Sequence, residues 1–101
     1  MRQNTKINYF TRAIELKPAL SAAYEERGML YYFQEHYTKT IRDFKKVTKL
    51  SPDNAYGYTM LGMAYFKNGD KGKAKERLSE ALKLSPTFPG AEEAKAVLAK
   101  L

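Results

Sequence analysis

The chain has 101 residues, a formal net charge of +7 and no cysteine, so its length suits one modest domain and its composition excludes disulfides and thiolate chemistry. No apolar run reaches the length of a membrane span, and the residues from Met1 to Asn4 show no signal-peptide pattern. We therefore expect a soluble protein in the cytoplasm, whose positive charge favours acidic partners electrostatically.

The helical spacing of apolar residues predicts six helices and no strands, and therefore an all-α fold. The predicted ranges, in chain order, are Gln3 to Leu16, Ala19 to Gln34, Tyr37 to Leu50, Ala55 to Asn68, Lys71 to Leu84 and Ala91 to Lys100. The stretch Ser51-Pro52-Asp53-Asn54 is predicted to break the third helix from the fourth and to contain a capping residue for the fourth.

A 34-residue period runs through the chain, since Pro18, Pro52 and Pro86 stand 34 residues apart. The first helix of each period carries an aromatic, a glycine and an aromatic on one face, namely Tyr24, Gly28 and Tyr31, then Tyr58, Gly62 and Tyr65. The second helix carries Thr40, Phe44 and Val47, then Ala74, Leu78 and Ala81. Because the glycines lack a Cβ, they are predicted to let the paired helices approach closely.

Two helices in a period of 34 are typical of the tetratricopeptide repeat, and the chain resembles that family over nearly its whole length. The resemblance implies tandem helix-turn-helix units in a right-handed superhelix. Residues 1–18 would contain the second helix of a truncated repeat, residues 21–54 and 55–88 would be full repeats, and residues 89–101 would contain a capping helix. The chain would then begin in mid-repeat, either as a piece of a longer array or with its first helix covered in another way.

Two positions depart from the pattern of the family. Arg27 stands where the family favours leucine, and we expect its stem to pack while its guanidinium reaches water. The stretch Glu35-His36-Tyr37 replaces the Gly69-Asp70 turn of the second unit, so the first turn is expected to be tighter or partly helical.

No constellation of residues in the sequence predicts catalysis, a cofactor or a metal site, so we expect a protein that is not an enzyme. The only histidine, His36, has Glu35 beside it, whereas a zinc site needs three or four convergent ligands. The stretch from Gly69 to Lys73 lacks the strand and spacing of a phosphate-binding loop and is better explained as an inter-helix turn.

The resemblance implies that the first helices line a concave groove that binds a protein or peptide. The candidate groove residues carried over by alignment are Glu25, Glu26, Met29, Tyr32, Phe33, Tyr56, Thr59, Met60, Met63, Phe66 and Lys67. Methionine and aromatic side chains suit an apolar or amphipathic segment, although the same side chains could instead complete the core. Tyr32, Met63 and Phe66 are the positions at which these two interpretations are hardest to separate.

One branch of the family binds the C-terminal carboxylate of chaperones through lysine, asparagine and arginine on this concave face. The comparable places here hold Glu25, Glu26, Thr59 and Met60, so we expect no such carboxylate clamp in these two units.

Two alternatives to groove binding remain open at this stage. Self-assembly would use Ile7, Phe10 and Ile14, which an unpaired first helix is expected to leave exposed. A basic convex face could bind acidic proteins or, less favourably, nucleic acid or anionic lipid, although a solvated surface is the preferred explanation. Its cations are Lys39, Arg42, Lys45, Lys46 and Lys49, opposed only by Asp43, and Lys71, Lys73, Lys75, Arg77 and Lys83, with Glu76 and Glu80 interleaved.

Overall fold

The computed structural model describes the backbone of residues 2–101 and the side chains of residues 2 and 4–101. It contains six helices in this part of the chain: α1 (Arg2–Leu16), α2 (Ser21–Phe33), α3 (Tyr37–Leu50), α4 (Ala55–Lys67), α5 (Lys71–Leu84) and α6 (Ala91–Leu98). The prediction of an all-α fold is confirmed, and the predicted helix ends lie within two residues of these bounds. Across the described residues, no helix is both long and apolar enough to cross a bilayer.

The helices pack in series as pairs, so the fold is a stack of helix-turn-helix units. Helix α2 packs on α3 and α4 packs on α5, while α3 joins the two pairs by packing on α4. Helix α1 adds to the stack on α2, and α6 adds to it on α5 and α4. The stack is elongated, with extents of 38 × 25 × 20 Å.

The predicted close approach at the two glycines is confirmed. A Cβ added at Gly28 would lie 2.7 Å from Cε2 of Phe44, and one added at Gly62 would lie 2.7 Å from Cγ of Leu78. Phe44 and Leu78 are completely buried, and each belongs to the second helix of its pair. In each pair, a large side chain of the second helix therefore packs directly on the backbone of the first helix.

The capping residue predicted in the stretch from Ser51 to Asn54 is Asn54, whose side-chain Oδ1 accepts a hydrogen bond from the backbone N–H of Gly57 at 3.0 Å. Asp70 caps α5 in the same way, with Oδ1 accepting from the N–H of Lys73 at 3.1 Å. His36, at the corresponding position before α3, makes no side-chain capping bond.

The expectation of a tighter or partly helical first turn is wrong. The N–H of His36 donates to the carbonyl of Tyr31 at 2.9 Å, as the N–H of Asp70 donates to that of Tyr65 at 2.9 Å. Glu35 adopts the left-handed conformation, with φ of 61°, in the place where Gly69 has φ of 89°. The two turns therefore share one hydrogen-bonding scheme, although only the second has glycine at the left-handed position.

The expectation that the head of Arg27 reaches water is also wrong. Its Nε and Nη2 donate to the two carboxylate oxygens of Asp43 at 2.9 and 2.7 Å, and its Nη1 donates to Oγ1 of Thr11 at 3.2 Å. The Arg27 side chain is 11% exposed and that of Asp43 is 1% exposed. Hydrogen bonding to Asp43 raises the pKa of the Arg27 guanidinium above its ordinary value, so the arginine stays charged inside the fold.

Candidate functional site, a groove between α2, α4 and α6

A groove of about 400 Å³ lies between α2, α4 and the start of α6. Its volume falls in the range of about 300–1,000 Å³ that is typical of ligand sites. It brings together seven of the predicted groove residues, which are Met29, Tyr32, Phe33, Tyr56, Thr59, Met60 and Met63. Pro89, Gly90 and Glu93 complete the lining.

The floor of the groove is formed by side chains that also support the core. Met60 is 9% exposed and Thr59 is 5% exposed, and the Thr59 hydroxyl donates to the carbonyl of Ala55 at 2.9 Å. The Tyr56 hydroxyl donates to Sδ of Met29 at 2.9 Å, which joins the two walls. The Tyr56 ring meets that of Phe44 edge-on, with 6.3 Å between the ring centroids. These contacts fix the shape of the floor before any ligand is present.

Phe33 forms the exposed rim at the end of α2. Its side chain is 64% exposed, and its ring lies edge-on to that of Tyr32 at 6.2 Å between centroids. Tyr32 is half-buried and also meets Tyr37 edge-on at 5.6 Å. A largely exposed aromatic ring beside an apolar groove is free to contact a ligand without any rearrangement of the core.

The other four predicted groove residues do not line this groove. Phe66 packs against the core, and Lys67 is exposed at the end of α4. Glu25 is half-buried, and its Oε2 accepts a hydrogen bond from Nδ2 of Asn54 at 3.4 Å. Glu26 is exposed and lines a separate cavity beside α1.

Negative charge nonetheless reaches the groove from α2 and from α6. Burial raises the pKa of the Tyr56 phenol above its ordinary value, and the charges of Glu25, Glu26 and Glu93 raise it further. Burial likewise raises the pKa of Tyr32, with further contributions from Tyr37 and Glu93. Both phenols therefore stay neutral at physiological pH and remain hydrogen-bond donors.

The contribution of α6 was not predicted from the sequence, although the repeat contains the signal for it. Glu25, Thr59 and Glu93 stand 34 residues apart, so they occupy the same position in three successive first-type helices. An extension of the period beyond residue 88 would have added Glu93 to the candidate residues. Helix α6 lacks the aromatic residue and the glycine of a full unit. Its sequence therefore does not identify it as the first helix of a third repeat.

The predicted self-assembly face is largely covered. Ile7 is 8% exposed, and Phe10 and Ile14 are half-buried, because α1 packs on α2. The expectation that all three would be exposed is therefore wrong. Tyr9 and Leu16 are instead the exposed large apolar side chains of α1, at 70% and 67%.

The basic face lies on α3 and α5, neither of which lines the groove. Its members are exposed except for Lys46 and Arg77, which are half-buried. The sequence had indicated that Asp43 opposes these cations at the surface. In the structure Asp43 is instead buried against Arg27. His36 is exposed in the turn before α3, and no group of three or more potential metal ligands occurs among the residues described.

Each of the two full units matches a family model described as tetratricopeptide repeat, over residues 21–54 and residues 55–88. Among curated proteins, the heat shock protein sti1 homolog of Schizosaccharomyces pombe is 35% identical over 79 residues, which are 78% of this chain and 13% of that protein. The Hsp70-Hsp90 organizing protein of Triticum aestivum is 33% identical over 82 residues, which are 81% of this chain and 14% of that protein. The chain thus spans about an eighth of the length of these relatives.

Two solved structures share this fold over 98% of the chain. The Arabidopsis OM64 TPR domain has a TM-score of 0.88 at 24% identity, and 82% of its length is covered. The first TPR of Spaghetti (RPAP3), solved with the HSP90 peptide SRMEEVD, has a TM-score of 0.87 at 20% identity, and 79% of its length is covered. At these identities the similarity concerns the fold alone.

Proposed function

Because this chain belongs to the tetratricopeptide repeat family, we propose that it is a non-catalytic interaction module that holds a segment of another protein in the groove between α2, α4 and α6. The observation that carries the proposal is the convergence of Met29, Phe33, Tyr56 and Met63 on one groove. The segment is apolar or amphipathic, since the methionines adapt to different apolar shapes and the aromatic rings provide anchor surface.

The similar structure of Spaghetti contains the HSP90 peptide SRMEEVD, in which acidic residues outnumber basic ones. We propose that this chain does not take such a peptide. The comparable positions are occupied by Glu25 and Glu26, which would repel a carboxylate, and by Thr59 and Met60, which are buried and carry no cation. A carboxylate in this groove would lose water without gaining a positively charged partner.

The proposal is tested by peptide binding to the whole chain, followed through fluorescence anisotropy. The probe is a fluorescein-labelled peptide of about 12 residues with leucines on one helical face and glutamines on the other. We expect saturable binding that weakens about five- to thirtyfold in Phe33→Ala, which corresponds to the roughly 1–2 kcal/mol of an exposed anchor residue.

Tyr9→Ala is the matched control, since it also removes a largely exposed aromatic side chain from a helix, but on α1. It should leave the affinity unchanged. Equal losses in the two variants, or no binding of the probe at all, would contradict the proposal. The peptide SRMEEVD is titrated in parallel, and tight binding of it that Phe33→Ala weakens would show that the groove accepts acidic segments after all.

Self-association is not part of the proposal. The apolar face that would have mediated it is largely covered by α2, with Ile7 only 8% exposed.

A further inference from the structure

The groove combines a mainly apolar lining with one carboxylate, that of Glu93, in a chain whose formal net charge is +7. Glu93 lines the groove directly from the first turn of α6. Glu25, on α2, occupies the same repeat position as Glu93, two periods earlier in the sequence. The residue at this position in the intervening repeat is Thr59 of α4, which is buried. The two carboxylates therefore belong to the two outer helices of the three that form the groove.

The charges of these carboxylates act together on one point of the groove. Burial raises the pKa of Tyr56, which lines the groove, and the charges of Glu25, Glu26 and Glu93 raise it further. Tyr32 is influenced by Glu93 as well. Apolar lining and negative charge therefore coincide in this groove, and no lysine or arginine lines it.

The cations of the chain are concentrated elsewhere. Lysines and arginines crowd α3 and α5, which line other cavities and not the groove. Lys67, the one cation among the predicted groove residues, is exposed at the end of α4 and does not line the groove. Positive charge is therefore concentrated on α3 and α5, where Glu76 and Glu80 are interleaved with it, whereas the groove lining contains Glu93 and no lysine or arginine.

We propose that the groove selects a partner segment in which an apolar side chain lies next to a lysine or arginine. The apolar side chain occupies the space between Met29, Tyr56 and Met63, and the cation lies toward Glu93 or Glu25. This inference rests on the proposed function, since it names the chemistry of the segment that the same groove holds.

Charge complementarity of this kind decides which partner is accepted more than it adds affinity. Glu93 is exposed beside the apolar lining and Glu25 is half-buried, so ion pairs with these carboxylates are modest in strength and weaken as salt is added. A like-charged segment is rejected by the same groups. Arginine suits the site particularly well, because its planar head can pair with a carboxylate while its stem covers apolar surface.

The test compares three labelled peptides of about 12 residues with one identical leucine face, whose other face carries arginine, glutamine or glutamate. Binding is measured by anisotropy with the whole chain, and Phe33→Ala identifies the part of each signal that comes from the groove. We expect the arginine peptide to bind through the groove about tenfold more tightly than the glutamine peptide, and the glutamate peptide to bind least. The preference should shrink as NaCl is raised from about 0.05 to 0.5 M.

Glu93→Gln should weaken the arginine peptide about two- to fivefold and leave the glutamine peptide unchanged, in keeping with the strength of a partly exposed ion pair. Glu92→Gln is the matched control, because Glu92 is the neighbouring residue of the same helix turn, is 90% exposed and does not line the groove. It removes the same charge and should have no effect on the arginine peptide.

The outcomes separate this inference from the proposed function. If all three peptides bind equally well and depend on Phe33, groove binding stands and the selection of a cation is overturned. Equal effects of Glu93→Gln and Glu92→Gln on the arginine peptide would likewise overturn the selection of a cation. If none of the peptides binds in a manner that depends on Phe33, the proposed function itself is overturned.

Discussion

Gly62 and Gly72 are both helical glycines, but only Gly62 has a neighbour in the way of a side chain. A Cβ at Gly62 would lie 2.7 Å from Cγ of Leu78 and 3.1 Å from the backbone nitrogen of the same residue. Backbone cannot give way as a side-chain tip can, so an added methyl group would separate α4 from α5. At Gly72 the nearest atom is Oδ1 of Asp70 at 3.9 Å, which is ordinary contact.

Gly62→Ala should therefore lower the free energy of unfolding by about 1–3 kcal/mol, the usual cost of overpacking, despite the better helix propensity of alanine. Gly72→Ala, as the matched control, should be neutral or stabilise by up to about 1 kcal/mol. Urea denaturation followed by circular dichroism measures both. Equal effects of the two substitutions would show that the contact between Gly62 and Leu78 does not limit the approach of α4 to α5.

Residue-level features were predictable from the sequence where they depend on near neighbours in the chain. The glycines and the aromatic positions follow from spacings of three, four or 34 residues, and a cap for α4 follows from the residue types between Ser51 and Asn54. Arg27 was not predictable in this way, because its partners Thr11 and Asp43 lie 16 residues away on either side and on different helices. Asp43 was misplaced for the same reason, since the lysines around it in the sequence suggested a surface position.

The turn between α2 and α3 reproduces the turn between α4 and α5 with a less suitable residue. Glu35 and Gly69 both adopt positive φ, at 61° and 89°. A residue with a side chain costs roughly 1–2 kcal/mol in this left-handed conformation, whereas glycine adopts it freely. The first hairpin therefore retains a local strain that the second lacks.

Glu35→Gly should raise the free energy of unfolding by about 0.5–1 kcal/mol, because the relief of strain exceeds the extra chain entropy that glycine loses on folding. Gly69→Ala is the reverse experiment. No atom lies within 4 Å of the added Cβ, so any loss of stability comes from the backbone conformation alone. Urea midpoints at an unchanged slope measure both variants. A destabilised Glu35→Gly, or an unaffected Gly69→Ala, would show that the conformation of the turn is not strained.

The helices themselves were predictable because each carries its own apolar period and its own stop signal, whereas the groove was predictable only in part. Seven of its lining residues followed from the alignment of two units. Its third wall comes from α6, whose sequence no longer resembles a first helix closely enough to be recognised by pattern. Burial of Met60 and Thr59 in the floor also depends on how neighbouring units pack, which the sequence of one unit does not specify.

At the scale of the whole molecule, a stack of helix pairs is held together mainly by contacts between neighbours. Arg27 adds a polar connection that spans three helices, since α2 carries the guanidinium, α3 the carboxylate of Asp43 and α1 the hydroxyl of Thr11. The Thr11 hydroxyl donates its hydrogen to the carbonyl of Ile7 at 2.8 Å. Its oxygen can therefore accept the hydrogen bond from Nη1 of Arg27. This connection therefore orients α1 on the first full unit.

Asp43→Ala should lower the free energy of unfolding by about 3–5 kcal/mol, because it leaves a largely buried guanidinium without its carboxylate. The joint variant Arg27→Leu with Asp43→Leu should recover most of that loss, since two apolar side chains carry no uncompensated charge. Glu15→Gln is the control, since it breaks the Arg12–Glu15 pair, whose side chains are 71% and 59% exposed, and should change stability by less than about 1 kcal/mol.

Hydrogen–deuterium exchange distinguishes the effect of the Arg27–Thr11 hydrogen bond on α1 from the general stability of the stack. In the joint variant, the amides of α2 to α5 should regain their protection, while those of α1 should exchange faster than in the original chain because Thr11 has lost its donor. If α1 keeps its full protection in the joint variant, its position depends on apolar packing of Ile7 alone. If Asp43→Ala is no worse than Glu15→Gln, the buried pair contributes nothing to holding the three helices together.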